Sequence, residues 1–252
     1  MDFPESLFRA MASARHVAVM TGAGVSAESG IKTFRDPDGL WAKFNPMELA
    51  SIDGFMSNPQ LVWEWYQHRV EIINQADPNP GHYAIAEMEN IFPEFTLITQ
   101  NVDRLHQRAG SKKVLELHGN IVENHCFSCK MQYSGPTNLP DEQLPVCPSC
   151  GGKIRPSVVW FGEMLPYVAI SGAELASGDC DVFFSVGTSA EVYPAANLPL
   201  LAKRTGAYVA EVNPNKTSIT HFLNVHLCGP SGVVLPQLLL AYKDYIKEHP
   251  AV

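Results

Sequence analysis

The sequence predicts an α/β protein with a Rossmann-like parallel sheet, helices on both faces, and a small lobe made of a zinc ribbon and helices. Short apolar runs that end in small polar residues alternate with helical patterns, as is typical of parallel sheets. Two C-x-x-C pairs interrupt this alternation near the middle of the 252-residue chain. This length allows one domain with a lobe. We predict that the sheet domain comprises residues 1–36, 92–120 and 158–252, and the lobe residues 37–91 and 121–157.

The composition argues against several classes of function. The net charge of −8 disfavours broad nucleic-acid binding, which requires a basic face. The chain has no run of about 18 apolar residues, so no membrane span is predicted. The N-terminal segment has two early acids and lacks the apolar core of a signal peptide. We therefore expect a cytoplasmic protein that binds neither a membrane nor nucleic acid directly.

The first apolar run, residues 16–20, predicts a buried strand that follows a short amphipathic helix. Gly22-x-Gly24-x-x-Ala27 comes next and fits the relaxed dinucleotide fingerprint, in which glycine lets the backbone approach a phosphate. This spacing alone is not specific, because many strand-to-helix turns contain two glycines. In an ordinary dinucleotide fold the helix would continue, but Gly30 and the segment 35–39 interrupt it. A long polar loop of this kind is usually functional or disordered.

Two helices are predicted after this loop, at residues 59–75 and from about 82 to 90. The first has apolar residues at helical spacing along one stripe. Tyr66 and Arg69 lie three residues apart, so they share one face of this helix. In an arbitrary helix, such a pair would be a core aromatic residue and a solvated arginine.

Candidate catalytic residues follow the next two strands. The strand at residues 95–99 ends in Q-N-V-D, residues 100–103, at the edge where ligands bind in open α/β sheets. Some of these side chains would also serve to cap a helix predicted at 103–109. The short strand at 114–117 ends in His118. An imidazole can accept a proton near neutral pH, although a lone histidine is more often structural.

Four cysteines have the spacing of a structural zinc site. Cys126-x-x-Cys129 and Cys147-x-x-Cys150 are separated by 17 residues, which falls within the four-cysteine zinc pattern. Four thiolates close the coordination sphere, so a structural ion is favoured over a catalytic one. A redox C-x-x-C and a nucleic-acid-binding ribbon are less favoured alternatives. Two further cysteines lie in apolar surroundings and are predicted to be buried thiols, Cys180 and Cys228.

The rest of the chain predicts the second half of the sheet. Residues 158–161 suit an extended segment with an exposed edge, and a core strand is the alternative. Strands at 182–186, 207–212 and 225–227 each end in small or polar residues, as a phosphate or ribose site requires. A final helix at 233–247 covers the sheet.

These strings together resemble the sirtuins, which are NAD-dependent protein lysine deacylases. The match includes GAGVSAESGIKTFRDPDGLW, Q-N-V-D, H-G, both C-x-x-C pairs, VVWFGE, G-T-S, V-N and G-P-S-G, in the expected order over residues 15–236. One departure is Lys32, where many members have proline. Lysine makes that turn more flexible and adds a charge.

The resemblance implies two small-molecule partners, NAD as a co-substrate and a structural Zn²⁺ held by the four cysteines. Asn101 and Asp103 are implied to hold the nicotinamide ribose and carboxamide. The G-T-S, V-N and G-P-S-G strings are implied to contact the adenine half. The full set implied to bind NAD is Gly22, Ala23, Gly24, Ser26, Ala27, Thr33, Phe34, Arg35, Trp41, Gln100, Asn101, Val102, Asp103, Gly187, Thr188, Ser189, Asn213, Pro214, Asn215 and Ser231.

The resemblance also implies the reaction. The acyl oxygen of a modified lysine attacks the C1′ carbon of NAD as nicotinamide leaves, and His118, with Asn101 beside it, acts as the general base at a ribose hydroxyl. The products are free lysine, nicotinamide and 2′-O-acyl-ADP-ribose. Acyl-lysine proteins or peptides are the implied substrates, and the residues implied to bind them are Val159, Phe161, Gly162, Tyr66 and Arg69.

The Y-x-x-R pair carries a finer expectation. In the family it occurs in members that accept acidic acyl groups, where the phenol and guanidinium receive the distal carboxylate of succinyl- or malonyl-lysine. We expect desuccinylase and demalonylase activity besides deacetylation, and a monomeric protein. Two alternatives remain open at this point. One is a mono-ADP-ribosyltransferase on the same scaffold, and the other is a catalytically silent NAD-sensing scaffold protein.

Overall fold

The computed structural model describes residues 1–33, 45–137 and 143–249 of the chain. The strands, in chain order, are β1 (His16–Thr21), β2 (Glu94–Thr99), β3 (Val114–Glu116), β4 (Gly119–Cys126), β5 (Gln132–Tyr133), β6 (Ile154–Val158), β7 (Val182–Val186), β8 (Tyr208–Asn213) and β9 (Val225–Cys228). The α-helices are α1 (Glu5–Ser13), α2 (Ala23–Ala27), α3 (Pro46–Leu49), α4 (Ile52–Ser57), α5 (Pro59–Gln75), α6 (Pro80–Ile91), α7 (Leu105–Arg108), α8 (Tyr167–Asp179), α9 (Leu198–Arg204) and α10 (Ser231–Glu248).

The described residues form the predicted parallel sheet, with six strands in the order β3-β2-β1-β7-β8-β9. Strand β1 is central and fully buried, and Val17 lies in register with Phe95 on one side and Val182 on the other. All five pairings in this sheet are parallel. The carboxyl ends of the strands therefore lie at one edge of the sheet, which confirms the predicted fold class.

Helices cover both faces of this sheet, because alternate residues of a strand point to opposite sides. On one face, α1, α6 and α10 pack over Val17 and Val19. On the other face, α8 and α9 pack over Ala18 and Met20. All four of these strand side chains are buried, and each full burial of a large aliphatic side chain contributes about 1.5–3 kcal/mol.

The small lobe contains a three-stranded antiparallel sheet in the order β5-β4-β6, together with α3, α4 and α5. Its aromatic core includes Phe55, Trp65, Tyr66 and Trp160. Helix α6 instead packs into the core of the parallel sheet. The domain division stays a prediction, but this packing supports a boundary near residue 79 for the helical part of the lobe, rather than residue 91.

Two sequence predictions were wrong in their details. Helix α7 is shorter than the predicted 103–109 because Arg104 is left-handed, with φ of 58°. The Asp103 carboxylate accepts a bond from the Leu105 N–H at 2.9 Å and so caps the turn from outside the helix. Cys228 is exposed, since it is the last residue of an edge strand, whereas Cys180 is buried as predicted.

The predicted extended segment at 158–161 is divided between two partners. Strand β6 ends at Val158, which pairs with Gly119 of β4. The Phe161 N–H then bonds to the Ala50 carbonyl at 2.9 Å, and Phe161 bridges to Ser51. The segment is therefore held on one side by the lobe sheet and on the other by the loop that follows α3.

Candidate active site

The loop after β1 packs backbone to backbone against the loop after β7. The Gly22 N–H bonds to the Val186 carbonyl at 3.1 Å, and the Gly24 N–H bonds to the Gly187 carbonyl at 2.9 Å. A Cβ atom at Gly24 would lie 2.8 Å from the Gly187 Cα atom, and Gly187 itself has a φ of +60°. The close contact between the two loops therefore requires glycine at these positions. The fingerprint had suggested a different reason for the glycines, which was the approach of a phosphate.

A buried polar cluster lies beside this loop, at the ends of β1 and β2. The Ser26 hydroxyl donates to the Asp103 carboxylate at 2.7 Å. The Asn101 amide donates to the Ser26 hydroxyl and to the Gly22 carbonyl, both at 3.1 Å. Ser26 is thus brought together with Asn101 and Asp103, two predicted site residues that lie 75 and 77 positions later in the sequence. Burial raises the pKa of Asp103, and its bonds from Leu105 N–H and Ser26 and the nearby Arg69 charge oppose that rise.

Two histidines that the sequence analysis did not single out lie behind the cluster. The ring centroids of His82 and His106 are 4.8 Å apart, and both side chains are buried. The His106 Nε2 atom bonds to the Thr21 hydroxyl at 2.9 Å. Burial lowers the pKa of His82 to about 4. Burial, with His82 nearby, lowers the pKa of His106 to about 3. Both rings are therefore neutral at physiological pH.

Asn79 connects this cluster to the start of α6. Its side-chain amide donates to the Val25 carbonyl at 2.8 Å and to the Ser29 hydroxyl at 3.0 Å, while its oxygen accepts from the Gly81 N–H at 2.9 Å. The His82 Nδ1 atom accepts a 3.3 Å bond from the Asn79 N–H, which completes a capping box. The N-P-G-H spacing could have indicated this cap.

His118 lies just after β3, at the junction of two predicted binding segments. Its Nδ1 atom donates to the Gln100 carbonyl at 3.0 Å, so in the neutral ring Nε2 carries the lone pair. Its own carbonyl accepts a 2.9 Å bond from the Val159 N–H. Burial lowers the pKa of His118, and the bond to Gln100 opposes this. The ring is consequently neutral at neutral pH, and its Nε2 atom is able to accept a proton.

The adjacent Gly119 fixes this junction. It has a φ of +67°, and a Cβ atom there would lie 2.0 Å from the Ser157 carbonyl oxygen. Only glycine therefore allows β6 to approach the backbone that carries His118.

The predicted adenine-side residues also lie at the carboxyl edge. The Asn213 amide donates to the Thr188 carbonyl at 2.8 Å, and the Asn215 N–H donates to the Asn213 oxygen at 3.3 Å. Ser231 is buried at the start of α10, where its hydroxyl donates to Glu28 at 3.4 Å. The Glu28 carboxylate also accepts a bond from the Gly232 N–H at 2.7 Å. It therefore lies at the N-terminus of α10, which its negative charge stabilises.

The other predicted NAD residues differ in their position and exposure. Gly22 to Ala27 form the turn into α2 and its short helix, with Ala27 exposed. Val102 packs in the lobe core, and Gln100, Thr33 and Ser189 are half-buried. Exposed Lys32 is also described, and Pro214 is exposed beside Asn213. Three predicted residues lie outside the described part of the chain, Phe34, Arg35 and Trp41.

Tyr66 and Arg69 are both buried on the inner face of α5. The alternative in which Arg69 is a solvated side chain is therefore wrong. The Arg69 guanidinium carbon lies 4.7 Å from the centre of the Trp65 ring, and the Tyr66 oxygen accepts a bond from the Trp160 indole N–H at 2.9 Å. Burial raises the pKa of Tyr66, against the opposing Arg69 charge, so the phenol is protonated at neutral pH.

The predicted substrate residues lie along the segment after β6. Val159 is half-buried, and Phe161 and Gly162 are exposed. Because Val159 bonds to the His118 carbonyl, this segment is attached directly to the predicted base.

The four cysteines of the lobe form one cluster in which all sulfur atoms lie within 4.8 Å of one another. Cys126 and Cys150 sulfurs are 3.5 Å apart, and Cys129 and Cys147 sulfurs are 3.7 Å apart. A tetrahedral zinc ion with Zn–S bonds of about 2.3 Å requires sulfur separations of about 3.8 Å. The donor set therefore fits structural zinc, with four thiolates and no position left for a reacting water.

Comparison with known proteins agrees with this geometry. The Sir2 family model matches residues 22–194. The chain is 52% identical over 234 residues to an NAD-dependent protein deacylase of Aquifex aeolicus, covering 92% of this chain and 96% of that protein. It is 47% identical over 251 residues to an NAD-dependent protein deacylase of Methylococcus capsulatus, covering 96% and 98% of the two chains.

The chain belongs to the Sir2 family. Among solved structures, a Sir2 homologue–NAD complex superposes with a TM-score of 0.90 at 43% identity, covering 97% of this chain and 96% of that one. A Sir2 complex with an inhibitor, 2′-O-acetyl-ADP-ribose and a deacetylated peptide has a TM-score of 0.83 at 32% identity, covering 94% and 98%. The predicted family is thereby confirmed. In the described part of this Sir2 protein, no helix combines the length and apolarity that a membrane crossing needs.

We predict that this Sir2 protein contains about one zinc ion per chain, and that replacing Cys147 and Cys150 by serine removes it. The segment between the C-x-x-C pairs has few apolar residues to hold it without metal. Metal analysis of the purified protein tests this. Cys180→Ser, a buried cysteine outside the cluster, is the control and keeps the ion. Full zinc retention in the double serine variant would contradict a four-cysteine site.

We also predict that acid destabilises the protein partly through His82 and His106. Their pKa values in the folded state, about 4 and about 3, lie below the ordinary value of 6.5. The unfolded chain binds more protons between these values and 6.5, so the contribution of the two rings to stability is complete above about pH 6.5. It is lost as pH falls through about 4 for His82 and about 3 for His106. Urea unfolding across this range measures the slope.

The variant His82→Gln, His106→Gln is expected to have a shallower slope than the parent protein, because glutamine does not titrate and still suits the third position of a capping box. His68→Gln, at an exposed histidine of α5, controls for the substitution itself. An unchanged slope in the double variant would show that these rings are not the source of the acid sensitivity.

Proposed function

We propose that this chain removes acyl groups from protein lysine side chains with NAD as co-substrate, and that His118 is its general base. Membership of the Sir2 family and the deacylase relatives support the NAD-dependent activity. The observation that carries the residue assignment is the double attachment of His118, whose ring bonds to Gln100 and whose carbonyl bonds to Val159. His118 thus lies between the predicted cofactor segment and the predicted substrate segment.

The residues at the carboxyl edge have the chemistry to hold NAD. Ser26, Asn101 and Asp103 offer a hydroxyl, an amide and a carboxylate for the nicotinamide ribose and carboxamide. Thr188 and Asn213 offer polar groups to the adenine half. When bound, NAD supplies an electrophilic ribose carbon and nicotinamide as the leaving group.

His118 is suited to take a proton from a ribose hydroxyl. The Gln100 carbonyl holds the proton of the neutral ring on Nδ1, and this leaves Nε2 as the basic atom. Because burial lowers the pKa of this ring, the base is in its active form at neutral pH without a change of protonation state.

An extended peptide is the substrate that the 158–162 segment suits best. Val159 and Phe161 lie on backbone held between β4 and Ser51, and Phe161 and Gly162 are exposed. Main-chain pairing with a peptide strand would bind many sequences, because such bonds do not depend on side chains. The ribosyltransferase and silent-scaffold alternatives are not favoured, because the reported relatives are deacylases.

Within this activity, Tyr66 and Arg69 support a preference for acyl chains that end in a carboxylate. Both side chains are buried, and Tyr66 is a protonated donor at neutral pH. The planar guanidinium of arginine can donate two parallel hydrogen bonds to a carboxylate, so a carboxylate is its matching partner. A succinyl or malonyl group would provide that partner, whereas an acetyl group would not.

We predict that His118→Ala abolishes deacylation, measured as nicotinamide release from NAD and an acyl peptide. The reason is that the ring acts in a proton transfer, which is worth about 10²–10⁴ in rate. The affinity for NAD, measured by calorimetry, should stay within about threefold of the parent value. His125→Ala, which removes a half-buried histidine of β4, is the matched control and retains turnover. Full turnover by the His118 variant would exclude it as the base.

We predict that Arg69→Met lowers kcat/KM for a succinyl-lysine peptide by about 10- to 100-fold, the loss expected for a charge-assisted hydrogen bond. For the acetyl-lysine peptide of the same sequence we expect a change of about twofold or less. Arg108→Met, an arginine that bonds to the Ile73 carbonyl, serves as the control. Equal losses on both peptides would indicate that Arg69 only packs.

A further inference from the structure

Trp160 connects the predicted acyl pair to the backbone of the substrate segment. Its indole N–H donates to the Tyr66 oxygen at 2.9 Å, and its ring, 2% exposed, packs against Phe55 at a centroid distance of 5.2 Å. Its backbone lies between Val159 and Phe161, the two residues predicted to contact substrate. No role was assigned to this residue from the sequence.

The hydrogen bond from Trp160 fixes the direction in which Tyr66 can donate. An indole N–H is a donor only, whereas a phenol can donate or accept. The Tyr66 oxygen must therefore accept from Trp160, and its own proton points away from the indole. A phenol oriented in this way can donate a hydrogen bond to an acceptor such as a carboxylate.

An ion pair between buried Arg155 and half-buried Glu163 holds Trp160 in place. The Arg155 guanidinium donates two bonds to Glu163, at 2.6 and 2.9 Å, and its central carbon lies 3.3 Å from the centre of the Trp160 ring. Glu163 also accepts a hydrogen bond from the backbone N–H of Trp160 at 2.8 Å. Arg155 donates further to the Val158 carbonyl at 2.6 Å. The ring is thus held on its face and through its backbone.

We propose that Trp160 is a positioning residue that orients the Tyr66 hydroxyl as a donor, and so favours acyl chains with a terminal carboxylate over neutral ones. The Arg155–Glu163 pair holds the indole in the plane that this requires. This inference rests on the acidic-acyl preference proposed above. It adds a residue that does not touch the acyl group but selects it through Tyr66.

The test compares Trp160→Phe, Tyr66→Phe and the double variant on succinyl-lysine and acetyl-lysine peptides of one sequence, with NAD saturating. Phenylalanine keeps an aromatic ring against Phe55 but removes the N–H. We expect Trp160→Phe to lower kcat/KM for the succinyl peptide about fivefold, as for one neutral hydrogen bond. The acetyl reaction should change by about twofold or less.

The double variant should lose no more succinyl activity than Tyr66→Phe alone, because without the hydroxyl there is nothing for Trp160 to orient. Such non-additivity distinguishes coupling from two independent effects. Trp63→Phe makes the same chemical change at a buried tryptophan of α5 that packs with Cys126. It is expected to leave the succinyl-to-acetyl ratio unchanged.

The outcomes separate this inference from the function on which it rests. If Tyr66→Phe and Arg69→Met leave the succinyl-to-acetyl ratio unchanged, the acidic-acyl preference is wrong and this inference fails with it. If those two variants lower the ratio but Trp160→Phe does not, or if its effect multiplies with that of Tyr66→Phe, only the role of Trp160 is overturned.

A second variant tests the proposal in the event that Trp160→Phe does not fold. Glu163→Gln keeps the size of the side chain but weakens the hydrogen bonds that it accepts from Arg155 and from the Trp160 backbone N–H. We expect it to lower the succinyl-to-acetyl ratio about twofold, with succinyl KM changing more than acetyl KM. A ratio equal to that of the parent protein would count against the proposal.

Discussion

Backbone contact between two glycine loops holds the carboxyl edge of this sheet together. Gly22 and Gly24, after β1, lie against Gly187, after β7, at distances that leave no room for a side chain. This contact fixes the turn that carries Ser26. Ser26 in turn is bonded to Asn101 and Asp103 from the next strand. The predicted nicotinamide cluster therefore depends on a contact made on the other side of β1.

The site is assembled from hydrogen bonds between backbone segments as much as from side chains. His118 is bonded through its ring to the segment after β2 and through its carbonyl to the segment after β6. Gly119 makes the second of these contacts possible. The metal cluster stands at the far end of β4, so its contribution is to order the sheet that supports this backbone, consistent with a closed coordination sphere.

The sequence predicted the parts of the fold that follow from local pattern. The apolar runs gave the strands of the parallel sheet, and the helical stripe gave α5 with its observed ends, Pro59–Gln75. Helix α7 was predicted too long, because a left-handed Arg104 has no marker in residue type. Cys228 was predicted as buried, because apolar neighbours do not reveal that a strand lies at an edge.

Contacts between distant segments could not be predicted in this way. His82 and His106 lie on two helices and meet only in the folded chain, so neither had a pattern to indicate it. The bond from Trp160 to Tyr66 spans 94 positions of the chain. The Sir2 resemblance predicted many site residues, but the hydrogen bonds that orient those side chains became visible only in three dimensions.

Asn79 connects the lobe, the parallel sheet and the glycine loop. It stands in the four-residue link between α5, which belongs to the lobe core, and α6, which packs on the parallel sheet. The Asn79 side chain also donates hydrogen bonds to the Val25 carbonyl and the Ser29 hydroxyl in the glycine loop. A rotation of the lobe about this link would therefore be transmitted to that loop, and the predicted dinucleotide site would change shape together with the position of the lobe.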